Sequence, residues 1–175
     1  MKATFVLIAA LGLAAGCATK APDVSTFYDQ VSGLRTDLMS DNELEAPGKP
    51  RELVWLNASR VFRDYNRSEY YLEVAYMAMA DRGYFDIPPG QSLTLIVDGK
   101  PMMFDGSGSQ NTRKEYKKDF VRETAIYPAT KEQLQKIAQA RTVKVQIKGK
   151  NGLIERNFQA ANFDRFRRFV TAYAI

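Results

Sequence analysis

Between residues 143 and 148 the chain alternates without exception: Val143, Val145 and Ile147 are apolar, while Lys144, Gln146 and Lys148 are polar. A period of two puts the first set on one face of a β-strand and the second on the other, as a sheet buried on one side requires. Gly149-Lys150-Asn151-Gly152 follows, and its Asn-Gly pair favours the left-handed backbone of a tight hairpin that returns through Leu153 to Phe158.

The same grammar recurs upstream. Leu93, Leu95 and Val97 alternate into an Asp98-Gly99-Lys100 turn, and Met102 to Phe104 return beside them. Leu53 to Leu56 open a strand that is apolar on both faces. Asp64 to Ser68 read as a turn, and Tyr70 to Ala80 carry Leu72, Val74, Tyr76 and Ala78 along one side. Phe120 to Tyr127 form a further strand, with Pro128 as its expected stop.

Helical spacing appears three times. Val24, Phe27, Val31, Leu34 and Leu38 predict an amphipathic N-terminal helix over residues 24–39. Thr130 with Gln133 fits a capping box ahead of Leu134, Ile137 and Ala138, and Phe163, Phe166, Val170 and Tyr173 form a closing stripe, with Arg165, Arg167 and Arg168 off it. Hairpin-linked strands with late helices predict an α+β fold: a mostly antiparallel sheet of about six to seven strands, two helices in the C-terminal half, and the N-terminal helix. Residues 51–175 are expected as one domain, with polar loops at Ser40–Pro50 and Asp105–Thr112, the latter a flexible connector.

The chain has one cysteine, Cys17, and no histidine. His/Cys zinc sites and His-based triads are therefore unavailable, and no intrachain disulfide can staple the fold. The body of the chain offers no catalytic constellation, no metal site and no cofactor motif. Asp81, Asp86, Asp98 and Asp105 all fall in turns, where aspartate is expected from backbone hydrogen bonding alone.

The residues in front of Cys17 constrain its setting. Lys2 precedes an apolar run from Ala3 to Leu13, and Leu13-Ala14-Ala15-Gly16-Cys17 closes it with small residues. A helix of that run covers about 16 Å, half of a ~30 Å hydrocarbon core. The layout resembles the signal peptide and lipobox of bacterial lipoproteins. That resemblance implies a leader at 1–16, cleavage after Gly16, a lipid on Cys17 (palmitate among its acyl chains), and a lipidated tether opening the 17–50 segment. Ala18, rather than Asp, at the next position implies the outer membrane, with the protein facing the periplasm. Without Lys2 the chain carries 24 basic against 20 acidic residues, a mild +4, and an exported chain rarely meets nucleic acid.

Two surfaces remain as binding candidates. Lys114, Lys117 and Lys118, beside Arg113, and Lys144, Lys148 and Lys150 form two basic groups suited to anionic lipid or glycan, although Glu115, Asp119 and Glu155 interrupt them. Tyr84 and Phe85, on a Pro-flanked loop, are the candidate contact for a protein partner. Gly106-Ser107-Gly108-Ser109 offers amides and hydroxyls to an anion but lacks the phosphate-loop spacing. The leading expectation is a non-enzymatic, membrane-anchored protein that binds or supports another envelope component. The alternative is a binder of anionic envelope lipid or glycan.

Overall fold

A computed structural model describes residues 24–46, 48, 51–64, 67–117 and 119–174. Cys17 and its leader, Tyr65 and Asn66 of the expected turn, and Lys118 lie outside the described residues. Where an N-terminal helix was expected there is a hairpin, of β1 (Val24–Tyr28) and β2 (Arg35–Met39). Its turn is built by Asp29, whose carboxylate accepts the Val31 N–H at 2.9 Å and the Ser32 hydroxyl at 2.6 Å. Gly33 closes the turn in the left-handed region, at φ +70°, where an L side chain is strained. Val31, central to the expected apolar stripe, is 98% exposed, while Asp37 from the polar side is fully buried. Pairing of β2 with the long strand that follows overrides the local helical period.

That strand, β3 (Glu52–Asp64), forms an antiparallel ribbon with β4 (Arg67–Met79). Val54, Leu56 and Ala58 from β3, and Leu72, Val74, Tyr76 and Ala78 from β4, share the buried face, the latter set as the alternation predicts. Each large apolar side chain sunk there stabilises the fold by roughly 1.5–3 kcal/mol. The 40–50 stretch is not wholly a polar loop. Leu44 is buried, its N–H bonds the Val54 carbonyl at 2.8 Å, and the Asn42 carbonyl accepts the Leu56 N–H at 3.1 Å, so the chain keeps contact with β3 after β2 ends.

The remaining elements are β5 (Gly90–Val97), β6 (Lys100–Gly106), β7 (Lys114–Tyr116), β8 (Phe120–Ala129), α1 (Lys131–Gln139), β9 (Val143–Gly149), β10 (Gly152–Asn157) and α2 (Ala160–Tyr173). The fold is α+β and mostly antiparallel, with both helices in the C-terminal half. The described residues hold ten strands in two sheets rather than six to seven in one: a larger sheet in the order β1-β2-β3-β4-β8-β7 and a smaller one in the order β10-β9-β5-β6. The three unforeseen strands, β1, β2 and β7, are five residues long or shorter and lie toward the margins of the larger sheet. Pro128 does not stop β8. It pairs with Tyr71 beyond the reach of short β7, where a missing N–H disturbs no ladder.

Thr130 and Gln133 form the expected capping box on α1. On α2, Phe166, Phe169 and Val170 are buried, and Phe163 and Tyr173 pack at the margin of the core. Both helices and the smaller sheet cover the same face of the larger sheet. The core between them joins Leu93, Leu95, Val145 and Ile147 of the smaller sheet to Val74, Ala125 and Tyr127 of the larger, with Phe166 and Leu134 from the helices.

Candidate functional site

The most elaborate polar construction lies between the sheets. Strand alternation turns Val121, Glu123, Ala125 and Tyr127 of β8 inward, which places one carboxylate in an otherwise apolar row. Glu123 is fully buried. Its Oε1 accepts the N–H groups of Phe85 at 2.7 Å and Asp86 at 3.0 Å, and its Oε2 accepts the Ser109 hydroxyl at 2.6 Å. Arg113 Nε approaches Oε2 at 3.8 Å, while the same guanidinium pairs with Asp86 and lies 5.5 Å from the Tyr84 ring centroid. A buried carboxylate is tolerated when charge-assisted bonds of this kind replace its water.

Those bonds fasten residues 84–87 as a strap. Phe85 stacks on Tyr76 with ring centroids 5.6 Å apart, and Asp86 takes a left-handed φ of +61°. From the other side the Asn151 amide donates to the Tyr84 carbonyl at 3.0 Å, and the Lys150 N–H to the Asp86 carbonyl at 3.1 Å. A Cβ on Gly149 would run into the Phe85 carbonyl oxygen, so glycine is required there by close approach. The Asp105–Thr112 loop belongs to the same construction and is not a flexible connector. Ser109 is buried, Gly108 packs against Pro89, and the Thr112 hydroxyl accepts the Thr124 N–H at 3.0 Å.

Next to the strap is a cleft of about 300 Å³ lined by Glu52, Tyr76, Arg82, Tyr84, Asn151 and Arg156, among others. The Glu52 carboxylate bridges two guanidiniums, Arg82 at 3.1 Å and Arg156 at 2.8 Å. Arg156 Nε is buried without a hydrogen-bond partner among the described residues. Burial pushes the Tyr76 hydroxyl to a higher pKa, against the pull of Arg82. Two cations on one anion leave the cleft with a positive excess. A wider hollow, about 840 Å³, lies at the turn end of β3 and β4. Three of its polar groups engage one another: Arg63 meets Glu69 at 2.8 Å, and Tyr71 donates to Glu69 at 2.6 Å.

The residues singled out in the sequence are dispersed. Phe85 is a core residue rather than a surface contact, and Tyr84 is half-buried under Arg113. Lys144 and Lys148 are exposed on the outer face of the smaller sheet, and Lys150 is exposed at its β9–β10 turn. On that face Glu155 of β10 accepts from Gln146 at 2.6 Å. Lys114 and Lys117 are exposed at the far margin of the larger sheet. Nor do the turn aspartates converge. Asp81 pairs with Arg51, Asp86 with Arg113, and Asp98 accepts the Arg141 and Thr142 N–H groups, while Asp105 is exposed on β6. Among the described residues no cluster of three or more His, Cys, Asp or Glu is placed to hold a metal ion. None of their helices is long and apolar enough to cross a membrane.

Sequence reasoning missed Glu123, Glu52, Arg82 and Arg156. The one available signal was Glu123 itself, an acid at an inward position of an alternating strand. No protein-family model matches the chain, and no curated protein or solved structure is significantly similar to it.

Proposed function

We propose that this is a lipid-anchored, non-enzymatic protein of the bacterial cell envelope that holds another envelope protein against the uncovered face of its larger sheet. The anchor rests on the resemblance of Leu13-Ala14-Ala15-Gly16-Cys17 to a lipobox. The observation that carries the docking is the face turned away from the helices. It bears Leu53 and Trp55 of β3, Met77 and Met79 of β4, and Phe120 and Ile126 of β8, with Met79 45% and Ile126 42% exposed. A shallow groove of about 230 Å³ crosses it, with Leu38, Trp55, Met77 and Tyr116 among its lining and Asp41, Asn57, Glu73 and Arg122 beside them. A face that mixes partly exposed apolar side chains with charged ones such as Arg122 and Glu73 has the composition of a non-obligate protein interface. The exposed face of the smaller sheet interleaves Lys144 and Lys148 with Gln146 and Glu155, and its apolar members Met103 and Leu153, each 57% exposed, stand singly among them.

Two measurements test the proposal. Cys17→Ser should abolish incorporation of labelled palmitate and release the protein from membranes; retention in the membrane fraction without label would sink the anchor. A photo-reactive residue at Met79 should cross-link to a protein in intact envelopes, whereas one at Lys148 should not. The rival reading, an anionic lipid or glycan ligand, gains if the protein binds anionic vesicles in a salt-sensitive way and changing Lys144, Lys148 and Lys150 to Gln removes that binding.

A further inference from the structure

Edge strands offer unpaired N–H and C=O groups to any passing chain, and folded proteins blunt them with charge, proline or cover. Four margins of this molecule follow that rule. β6 carries Lys100, Pro101 and Asp105; β10 carries Glu155 and Arg156; β7 carries Lys114 and Glu115. Where β8 runs past β7, Thr112 and Ser107 occupy its edge: the Thr124 N–H is taken by the Thr112 hydroxyl at 3.0 Å, and the Ile126 carbonyl by the Ser107 N–H at 3.0 Å.

β1 is the exception. Val24-Ser25-Thr26-Phe27-Tyr28 contains no charge and no proline, and it forms the margin of the larger sheet. Phe27 is 55% exposed and Tyr28 67%. The Asp29 N–H bonds the Leu34 carbonyl at 2.8 Å, which sets the alternation of the hairpin ladder. Ser25 and Phe27 turn their backbone groups toward β2, and Val24, Thr26 and Tyr28 turn theirs to the side where no described strand lies.

We propose that β1 pairs with β1 of a second copy of this chain, antiparallel about a two-fold axis at Thr26. In that register Thr26 faces Thr26, and Val24 faces Tyr28 on both sides of the axis. Every outward N–H and C=O of the three residues then finds a partner, and the two larger sheets become continuous. A two-fold contact must be self-complementary. The strand meets that requirement in two ways. Its lack of charge spares the axis any like-charge contact. It also sets an aromatic ring opposite a β-branched side chain, a favoured cross-strand pair. On the other face Phe27 lies opposite Ser25, which leaves space for the ring. This pairing uses a strand edge, so it stands apart from the apolar face and from the lipid anchor.

The test uses the full chain in mild detergent, with Cys17→Ser so that an introduced thiol is the sole one. Thr26→Cys should be joined to a second copy by a short thiol-to-thiol cross-linker in several-fold higher yield than Gln30→Cys at the exposed hairpin turn. Val24→Cys should give only the Gln30 level, because residues 24 of the two copies lie at opposite ends of the paired strands. Adding Tyr28→Lys to Thr26→Cys should bring the yield down to that level with the circular dichroism spectrum unchanged. The chain with native β1 should also sediment as a concentration-dependent dimer. Equal yields at positions 24, 26 and 30, or a chain that sediments as a monomer at about 1 mM, overturn the pairing. An adduct whose mass is not twice that of the chain also overturns it, and assigns the edge to a different protein.

Discussion

The carboxylate of Glu123 accepts the N–H of Phe85 at 2.7 Å, although the two residues are 38 positions apart in the chain. Through that bond and its neighbours one side chain of β8 organises the strap, the 105–112 loop and the approach to the β9–β10 turn. Replacing it should therefore unsettle several segments at once. Glu123→Leu should lower stability by about 3–5 kcal/mol, because it strands the Phe85 and Asp86 N–H groups and leaves Arg113 without its buried neighbour. Glu123→Gln keeps an acceptor and should lose less. Urea unfolding followed by circular dichroism gives both numbers, and equal stability of the Leu variant and the wild type would show that Glu123 does not hold these segments together.

Gly149 tests the other side of the strap. Gly149→Ala should destabilise by about 1–3 kcal/mol, since the added methyl meets the Phe85 carbonyl oxygen and ring and the strap or the turn must shift. Thermal unfolding should show the loss. Gly83→Ala is the comparison: beyond its chain neighbours no atom of the described residues lies within 4 Å of the added Cβ, so its cost comes from the φ of +75° and not from a collision.

Asp37 should govern part of the acid response. Burial pulls its pKa upward, but hydrogen bonds from Arg60, Thr26 and Arg35 outweigh that pull and hold it below the ordinary aspartate value. A carboxyl depressed in the folded state contributes stability that is fully present above its unfolded pKa of about 3.9. That stability is lost as the pH falls through the lower folded value. Asp37→Asn should therefore be less stable than the wild type at neutral pH, and the gap should close below about pH 4. Urea midpoints across acid pH measure it, and a gap that does not depend on pH would contradict the assignment.

Tyr127 should govern the alkaline side. Burial pushes its hydroxyl up to about 12, while the Ser92 hydroxyl bonds it at 2.9 Å. The unfolded chain ionises tyrosine near 10, so this contribution to stability is complete below about pH 10 and disappears as the pH rises toward the folded value. Alkaline unfolding should be shallower in Tyr127→Phe than in the wild type. Ultraviolet titration of the folded protein should show the buried phenols, Tyr127 among them, still un-ionised after the exposed tyrosines have titrated, and Tyr127→Phe should remove part of that late signal.

The elements read correctly from the sequence are those whose neighbours lie nearby in the chain. The β5–β6 hairpin carries its turn chemistry in Asp98-Gly99, and α1 carries its cap in Thr130 and Gln133. The β9–β10 hairpin forms where it was read, but it turns on Lys150-Asn151 rather than on Asn151-Gly152, with neither loop residue in the left-handed region and Gly152 opening β10. Alternation also identified the buried row of β4, because a strand with one face inward leaves its period in the sequence whatever it later packs against. What the linear pattern could not hold was partnership at a distance. Val24 to Met39 have a helical spacing, but β3 offers β2 an edge and Arg60 offers Asp37 a counter-charge, so the segment becomes strands. Phe85 looks like an exposed aromatic on a loop until Tyr76, Glu123 and Gly149 close around it from three other elements. Local backbone preferences amount to a fraction of a kcal/mol per residue, whereas satisfying a buried carboxylate or filling a sheet edge decides several at once. The sequence thus determined the hairpins, the α1 cap and the absence of any thiol or imidazole chemistry beyond Cys17, since each depends on residue type or near neighbours. Tertiary structure alone decided that residues 24–39 form a hairpin whose outer edge no described strand covers, and that a buried polar cluster forms around Glu123.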